Sequence, residues 1–316
     1  MPKTISRSAA LSSRHGSVRA KEIKKHRELY IFLLPALAAL IIFSYVPMYG
    51  VLMAFQDVKI GQAFSFGNWV GMKHFIRFFN TGWFFVTIKN TVFLSLANNF
   101  LCWPFPIILA LLMHNCISTR LRKIAQTATY LPHLLSIVVV VSILNVFCSG
   151  ESGLINILLH RLGTERINFF GSPGWVIPLY VISGLWTEMG YSAIVYLAAL
   201  SAVDGELLEA SMIDGAGKLK RIWHIQLPTI APTVIIMFIL NMGKLFAIGA
   251  DKMLLLQTDL NLSSSEIIST YVYKTGYGGA QYGFSTAVGL FQNIVNLILL
   301  LIVNTISRKL SDVSIF

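Results

Sequence analysis

Charged side chains are scarce in this 316-residue chain. Only 12% of the residues are Asp, Glu, Lys or Arg, whereas 55% are hydrophobic. A soluble domain carries about 25% charged residues, so this composition argues against a soluble protein. It predicts an integral membrane protein.

Acidic residues are the scarcer of the two signs, with 14 Asp and Glu against 25 Lys and Arg and a net charge of +11. A charge of this size can indicate nucleic-acid binding. The basic residues cluster beside apolar runs, however, and that distribution is typical of membrane topology signals. We therefore expect membrane lipid, and no nucleic acid, around the chain.

Cysteines and catalytic motifs are also lacking. The chain has three cysteines and no CxxC pair, so it predicts neither a disulfide framework nor a metal site. It contains no HExxH and no GxSxG sequence. Residues 215–218 are not a P-loop, because Met212 and Leu219 occupy positions where that motif needs Gly and Ser or Thr. We expect no catalytic residue, no metal and no nucleotide bound by this chain.

Six apolar segments are each long enough for a helix to cross a bilayer, which takes about 20 residues. They are residues 29–56, 90–113, 124–147, 175–200, 228–250 and 284–306. The sequence therefore predicts an all-α membrane protein with six transmembrane helices over residues 29–310. A basic tail, residues 1–28, precedes them. We expect no signal-peptide cleavage, since the polar tail and the following apolar run are both too long.

The distribution of positive charge predicts the orientation. If the N-terminus is inside, the cytoplasmic segments hold 16 Lys and Arg residues and the outer segments hold 9. Because Lys and Arg concentrate on the cytoplasmic side, both termini and the 204–228 loop are predicted to be cytoplasmic.

Residues 204–228 form a polar island between two apolar segments. Asp204 is a suitable N-cap for a helix that runs to about Ile213. Gly215 can take the positive φ that ends a helix, and Pro228 suits the first turn of the next one. At helical spacing one face of the first helix carries Glu206, Glu209, Ala210 and Ile213, and the other carries Leu207, Leu208, Ser211 and Met212. We expect one face to contact the body of the protein and the other a partner.

The spacing in this loop resembles the EAA loop of ABC importer permeases. That pattern is Glu-Ala-Ala, three residues, Gly, nine residues, then Ile, one residue and Leu-Pro. Here residues 209–211 read Glu-Ala-Ser, Gly215 follows at the right distance, and residues 225–228 read Ile-Gln-Leu-Pro. Ser211 in place of the second Ala is the one departure. Further stretches are similar to permeases for complex oligosaccharides and polysaccharides, those of alginate importers included: residues 32–36, 45–50, 196–200, 271–273, 286–291 and 307–310.

The resemblance implies a permease subunit of a type I importer in the bacterial cytoplasmic (inner) membrane, which moves an oligosaccharide or polysaccharide inward. The implied partners are a second homologous permease, two ATPase subunits that hold ATP and Mg, and an extracytoplasmic solute-binding protein. The chain would not itself be an enzyme. Its coupling helix would dock on the ATPase through Glu206, Glu209, Ala210, Ser211, Ile213 and Gly215.

Polar residues inside the predicted spans must face protein or water rather than lipid. Our candidates for a substrate pathway are Asn98, Glu188, Asn241, Lys244, Gly289, Gln292, Asn293 and Asn296. Some of these residues belong to polar stripes at helical spacing: Thr91, Ser95, Asn98 and Cys102 in the second span, and Ser285, Gly289, Gln292 and Asn296 in the sixth. The alternative for these stripes is hydrogen bonding between helices. For Glu188, the one acid well inside a span, a structural partner such as Lys244 stands as an alternative to substrate contact.

Two other classes remain alternatives at this point. An ion-coupled secondary transporter would show internal hydropathy repeats and paired intramembrane acids. A polytopic membrane enzyme would need a catalytic cluster near an interface. We see one acid, no clear repeat and no such cluster.

Overall fold

The structure, a computed structural model, describes residues 27–58, 67–246 and 248–311. Most of the predicted basic tail, residues 1–28, lies outside these ranges. The chain divides into two units, residues 1–52 and 53–316, which are described separately.

The first unit contributes one long helix with exposed side chains. Its segments are α1 (Arg27–Leu40), a π-helical turn (Ile41–Tyr45), a short helical stretch (Val46–Met48) and the start of a 3-10 turn (Tyr49–Phe55). The π turn ends two residues before Pro47, which has no backbone N–H to donate, and such turns accommodate a break in the helical hydrogen-bond ladder. A helix that is apolar on all faces is suited to lipid or to a partner helix.

The second unit is almost entirely helical. Its only described strands, β1 (Gln56–Asp57) and β2 (Asn68–Trp69), pair antiparallel. The helices up to the polar loop are α2 (Lys73–Phe79), α3 (Trp83–Cys102), α4 (Pro104–His114), α5 (Thr119–Tyr130), α6 (Ile137–Cys148), α7 (Leu154–Arg161) and α8 (Val176–Leu200). From the loop onward they are α9 (Gly205–Ile213), α10 (Lys218–Arg221), α11 (Leu227–Met242), α12 (Ala250–Leu256), α13 (Leu262–Ser265), α14 (Ile268–Tyr273) and α15 (Tyr282–Ser311).

Several described helices are long and apolar enough to cross a membrane. Four qualify outright: Tyr30–Phe55, Trp83–His114, Lys218–Met242 and Tyr282–Lys309. A fifth candidate is the bent pair Thr119–Leu134 and Ile137–Cys148. The predicted class, an all-α membrane protein, is confirmed. In addition, the 25-residue α8 coincides with the predicted segment 175–200 and is about 37 Å long.

The third predicted span, residues 124–147, is sharply bent. The helix axis bends by 101° at the break between the two helices. Pro132 lies in a 3-10 turn (Leu131–Leu134), and Leu135 and Ser136 are extended. The Ser136 side chain then accepts a hydrogen bond from the Val139 N–H and starts α6. The apolar run is continuous, but its proline and its serine cap divide it.

Small residues bring the central helices together. Ala110 of α4 and Ala193 of α8 are fully buried in one apolar cluster with Ile230 of α11. A Cβ at Gly190 of α8 would stand 2.1 Å from the Thr129 carbonyl oxygen, so only glycine lets α5 approach this closely. The contacts hold α4, α5 and α11 against α8.

Candidate functional site

The polar loop contains a helix with two well-defined ends. At the N-terminus of α9, the Asp204 carboxylate accepts a hydrogen bond of 2.9 Å from the Glu206 N–H. At its C-terminus, the Gly215 N–H donates to the Met212 carbonyl, and the Ala216 N–H donates to the Ser211 carbonyl. This is a Schellman motif, with Gly215 at φ +74°. The expected cap, stop and positive φ are therefore all present, and they fix the length of α9.

One face of α9 is open to solvent. Glu206, Glu209, Ala210 and Ile213 are all exposed, and the Ile213 side chain is 88% exposed. On the opposite face Leu208 and Ser211 are partly buried, whereas Leu207 and Met212 are exposed. Leu219 and Trp223, farther along the loop, are exposed as well. Exposed large apolar side chains beside acidic ones indicate a surface for a protein partner.

A pair of side-chain amides joins the end of this loop to α4. The Asn115 Nδ2 donates to the Gln226 Oε1 at 2.8 Å, and the Gln226 Nε2 donates to the Asn115 Oδ1 at 3.0 Å. Gln226 is 1% exposed and belongs to the π-helical turn (Ile222–Gln226) that leads into α11. The end of the loop is thus bonded to the C-terminus of α4 and continuous with α11.

A cavity of about 250 Å³ lies among α3, α4, α8 and α11. Its polar lining comes from Asn98, Asn99, Cys102, Glu188, Ser192 and Asn241, and its apolar lining includes Trp103, Leu185, Met189 and Met237. Amides, a hydroxyl and a carboxylate beside an indole ring are groups that can bind a sugar. Three predicted pathway residues, Asn98, Glu188 and Asn241, therefore come together here from three different helices.

Glu188 is paired with a histidine rather than with Lys244. Its carboxylate lies 3.2 Å from Nδ1 of His133, and the His133 ring stacks on Tyr191 at a centroid distance of 3.9 Å. Lys244 is exposed at the end of α11. The structural partner that the sequence could not identify is thus His133, in the turn after α5, and this pair crosses from that turn to the cavity wall.

The polar stripe on α3 has two different environments. The Thr91 hydroxyl accepts a hydrogen bond from the Ile268 N–H at 3.0 Å, and the Ser95 hydroxyl donates to the Leu245 carbonyl. The next members, Asn98 and Cys102, line the cavity. One end of the stripe is therefore hydrogen-bonded to the backbone at Leu245 and Ile268, and the other end lines the cavity.

The polar stripe on α15 makes contacts within the bundle. The Gln292 amide donates to the Phe246 carbonyl and to the Ser269 hydroxyl, and the Asn296 side chain accepts from the Phe246 N–H at 2.8 Å. Both side chains are buried, Gly289 is partly exposed, and Asn293 is exposed. These are the interhelical bonds of the alternative interpretation. A pathway role for the α15 residues stays a prediction.

Lys252 of α12 is a buried residue near the cavity that the sequence analysis did not single out. It is 7% exposed, and its Nζ donates to the Tyr180 carbonyl at 2.7 Å and lies 4.3 Å from the centroid of the Tyr180 ring. Burial lowers the pKa of Lys252 to about 8, while Cys102 and Glu188 act in the opposite direction. In the sequence Lys252 is simply one lysine after an apolar run. Only its position immediately after the predicted fifth span could have drawn attention to it.

The described residues contain no group of three His, Cys, Asp or Glu side chains placed to hold a metal ion. The polar groups of the cavity are spread around its wall.

Comparison with known proteins gives one family and a set of similar transport proteins. Residues 104–312 match the family model described as binding-protein-dependent transport system inner membrane component. The polygalacturonan/rhamnogalacturonan transport system permease protein YteP of Bacillus subtilis (strain 168) is 40% identical over 292 residues, which cover 92% of this chain and 91% of that protein.

Two solved structures are similar over nearly the whole chain. One is a bacterial ABC transporter involved in the import of the acidic polysaccharide alginate; the TM-score is 0.85 and the identity 36%, with 92% of this chain and 98% of that chain covered. The other is a bacterial alginate ABC transporter in complex with an alginate pentasaccharide-bound periplasmic protein. Its TM-score is 0.85 and its identity 35%, with 93% and 99% of the two chains covered.

Proposed function

Because the chain belongs to the family of binding-protein-dependent transport system inner membrane components, we propose that it is a permease subunit of an ATP-driven importer of acidic oligosaccharides. It works in the bacterial inner membrane with both termini in the cytoplasm. Its partners are a second homologous permease, two ATPase subunits that hold ATP and Mg, and an extracytoplasmic solute-binding protein. The similar proteins that handle polygalacturonan and alginate support an acidic substrate.

The observation that carries this proposal is the exposed face of α9. This helix is short, is capped at both ends and exposes Glu209 and Ile213 to solvent. Such a helix can dock as a rigid unit in a groove on a partner. The positive-inside distribution supports a cytoplasmic position for α9, on the side where ATP is available. An ATPase that closes on ATP then moves α9 as one body.

Two connections carry that movement from α9 to the bundle. The loop continues through the π turn at Ile222–Gln226 into α11, which lines the cavity with Asn241. The reciprocal amide pair of Asn115 and Gln226 takes the movement to α4, on the other side of the cavity. A shift of α4 and α11 against α8 changes the cavity between them, as alternating access requires.

The six-span topology is part of the proposal. Four described helices and the bent pair of α5 and α6 supply up to five crossings. The length of α8 supports it as the sixth, since about 37 Å exceeds a hydrocarbon thickness of about 30 Å. With six crossings, α9 and both termini lie on the same side.

The test is assembly followed by transport. The tagged chain is expressed with its second permease and ATPase subunits, and the complex is reconstituted in liposomes with the binding protein. We expect co-purification of the ATPase and ATP-dependent accumulation of labelled oligogalacturonides. A chain that binds no ATPase, or a complex that accumulates no oligosaccharide when ATP is supplied, contradicts the proposal.

A further inference from the structure

Lys252 is a buried cation without an acidic partner. It is 7% exposed, and no carboxylate among the residues that the structure describes comes within 4.0 Å of its Nζ. Burial of an ammonium without a counter-ion is unfavourable. Glu266, which is also buried in this region, does have an ion partner, because Lys274 lies 2.6 Å from its carboxylate. Glu188 acts on Lys252 only from beyond ion-pair distance, so Lys252 is a positive charge with no anion in direct contact.

The surroundings of Lys252 place its ammonium near residues that line the cavity. The Nζ donates one of its three N–H bonds to the Tyr180 carbonyl, and the Tyr180 ring covers one side. A Cβ on Gly184 would stand 3.4 Å from Lys252 Nζ and 3.5 Å from Asn98 Oδ1, which are ordinary contact distances, so both polar groups lie beside Gly184. Asn98 lines the cavity, and Cys102, whose Sγ is 3.7 Å from Asn98 Oδ1, lines it too. Two ammonium donors thus remain close to polar residues of the cavity.

We infer that Lys252 binds the carboxylate of an acidic sugar unit as that unit enters the cavity, and that it thereby selects acidic over neutral oligosaccharides. This assignment rests on the proposed function. The four-carbon stem of the lysine lets its ammonium follow a moving carboxylate while α12 stays in place. A point charge suits this task better than a rigid bidentate group, because the substrate must bind and then leave.

Glu188, which lines the cavity one helical turn after Gly184 on α8, supplies the opposite charge. Its carboxylate, paired with His133, repels a uronate that has passed Lys252. Attraction at Lys252 and repulsion at Glu188 limit how tightly any single unit is held. The cavity therefore favours passage of a chain of uronates over storage of one.

The test compares an acidic oligosaccharide with its neutral counterpart. A labelled oligogalacturonide and the carboxyl-reduced oligosaccharide of the same length are offered to the reconstituted importer with wild-type chain, Lys252→Gln and Lys252→Arg. We expect Lys252→Gln to lower the ratio of acidic to neutral uptake by roughly tenfold or more, the loss of one charge-assisted hydrogen bond. Lys252→Arg keeps the charge and should retain most of the selectivity. Lys89→Gln, at an exposed lysine of α3, is the matched control and should leave the ratio unchanged.

Different outcomes overturn different statements. If Lys252→Gln lowers the uptake of both substrates equally, Lys252 only fastens α12 to α8 and the assignment is wrong. If the wild-type importer takes up neither substrate, the proposed function fails and the assignment with it. Lys252→Met is a second neutral variant, for use if the Lys252→Gln complex does not assemble. If either neutral variant assembles and still prefers the acidic oligosaccharide as the wild type does, the assignment of Lys252 is wrong and the proposed function stands.

Discussion

A single buried ammonium sets the expected pH response of the importer. The pKa of Lys252 is lowered from its ordinary value to about 8, chiefly by burial. Lys252 is therefore mostly charged at pH 7 and mostly neutral at pH 9. The groups that face it are Tyr180 and Glu188 on α8 and Cys102 on α3.

We predict that acid selectivity falls as the pH rises through about 8. The measurement is the ratio of acidic to carboxyl-reduced uptake between pH 6.5 and 9.5, since a ratio cancels the pH response of the ATPase. The Lys252→Arg variant should hold its ratio across this range, because arginine does not deprotonate there. A wild-type ratio that stays constant up to pH 9.5 would mean that the charge on Lys252 does not act on the substrate.

Asn296 provides a second test at the level of one side chain. It is the acceptor for the Phe246 N–H, and replacement by Leu leaves that buried donor unpaired. We predict that Asn296→Leu lowers the free energy of unfolding by about 1–3 kcal/mol. Asn293→Leu, at the exposed neighbour, is the control and should have little effect. Thermal unfolding of the purified complex measures both variants; normal stability with lost transport would favour the pathway interpretation of the α15 stripe.

At the scale of secondary-structure elements, α9 depends on how it ends. Gly215 has φ +74° and open space around its Cβ position, so conformation, not crowding, requires glycine there. Gly217 also has open space, but its φ is −64°, which any residue can adopt. The two glycines form a matched pair within one loop.

We predict that Gly215→Ala strains the end of α9 by roughly 1–2 kcal/mol and partly uncouples ATP hydrolysis from transport. Gly217→Ala should couple normally. The quantity measured is the number of ATP molecules hydrolysed per oligosaccharide imported. Equal ratios for the two variants would show that the left-handed turn is not needed for transmission.

The charge on α9 gives a separate prediction. Glu209 lies on the exposed face, and a partner groove that receives it is expected to offer a basic residue. Glu209→Lys reverses the charge and should weaken ATPase association by about 2–5 kcal/mol if that contact is buried in the complex. Glu165→Lys, an exposed reversal in the 148–174 loop, is the control. Pull-down of the ATPase at graded concentrations gives the comparison, and equal retention by both variants would place the contact elsewhere.

The sequence predicted the ends of α9 well, because the residues that set them act locally. It did not predict which residues distant in the chain would contact each other. Asp204 and Gly215 act within a few residues of themselves, so their types alone indicated the two ends of α9. Lys252 meets Tyr180, and Gln292 meets Phe246, across 72 and 46 residues of chain. Hydropathy cannot tell which of many helix faces will meet. The same reason explains why the apolar run at 124–147 gave no sign of how sharply α5 and α6 bend.

At the scale of the whole molecule, the testable property is its orientation in the membrane. With Cys102, Cys116 and Cys148 replaced by Ser, single cysteines at Lys218 and Arg166 mark the two sides. We predict that a membrane-impermeant thiol reagent labels Arg166→Cys in spheroplasts and labels Lys218→Cys only after the membrane is opened. Both positions are exposed in the structure, so poor labelling would not come from burial. External labelling at 218 would reverse the orientation and remove α9 from the reach of an ATPase.

The amide pair of Asn115 and Gln226 has a consequence for the conditions under which the importer can work. Both partners are uncharged, and Gln226 is 1% exposed, so dissolved salt has little effect on the strength of these hydrogen bonds. The proposed contacts of α9 with an ATPase involve charged side chains such as Glu209 and should weaken as ionic strength rises, whereas this internal connection should not. Osmotic stress that raises the salt concentration of the cytoplasm would then weaken the association of the ATPase with the permease before it weakened the contacts within the permease.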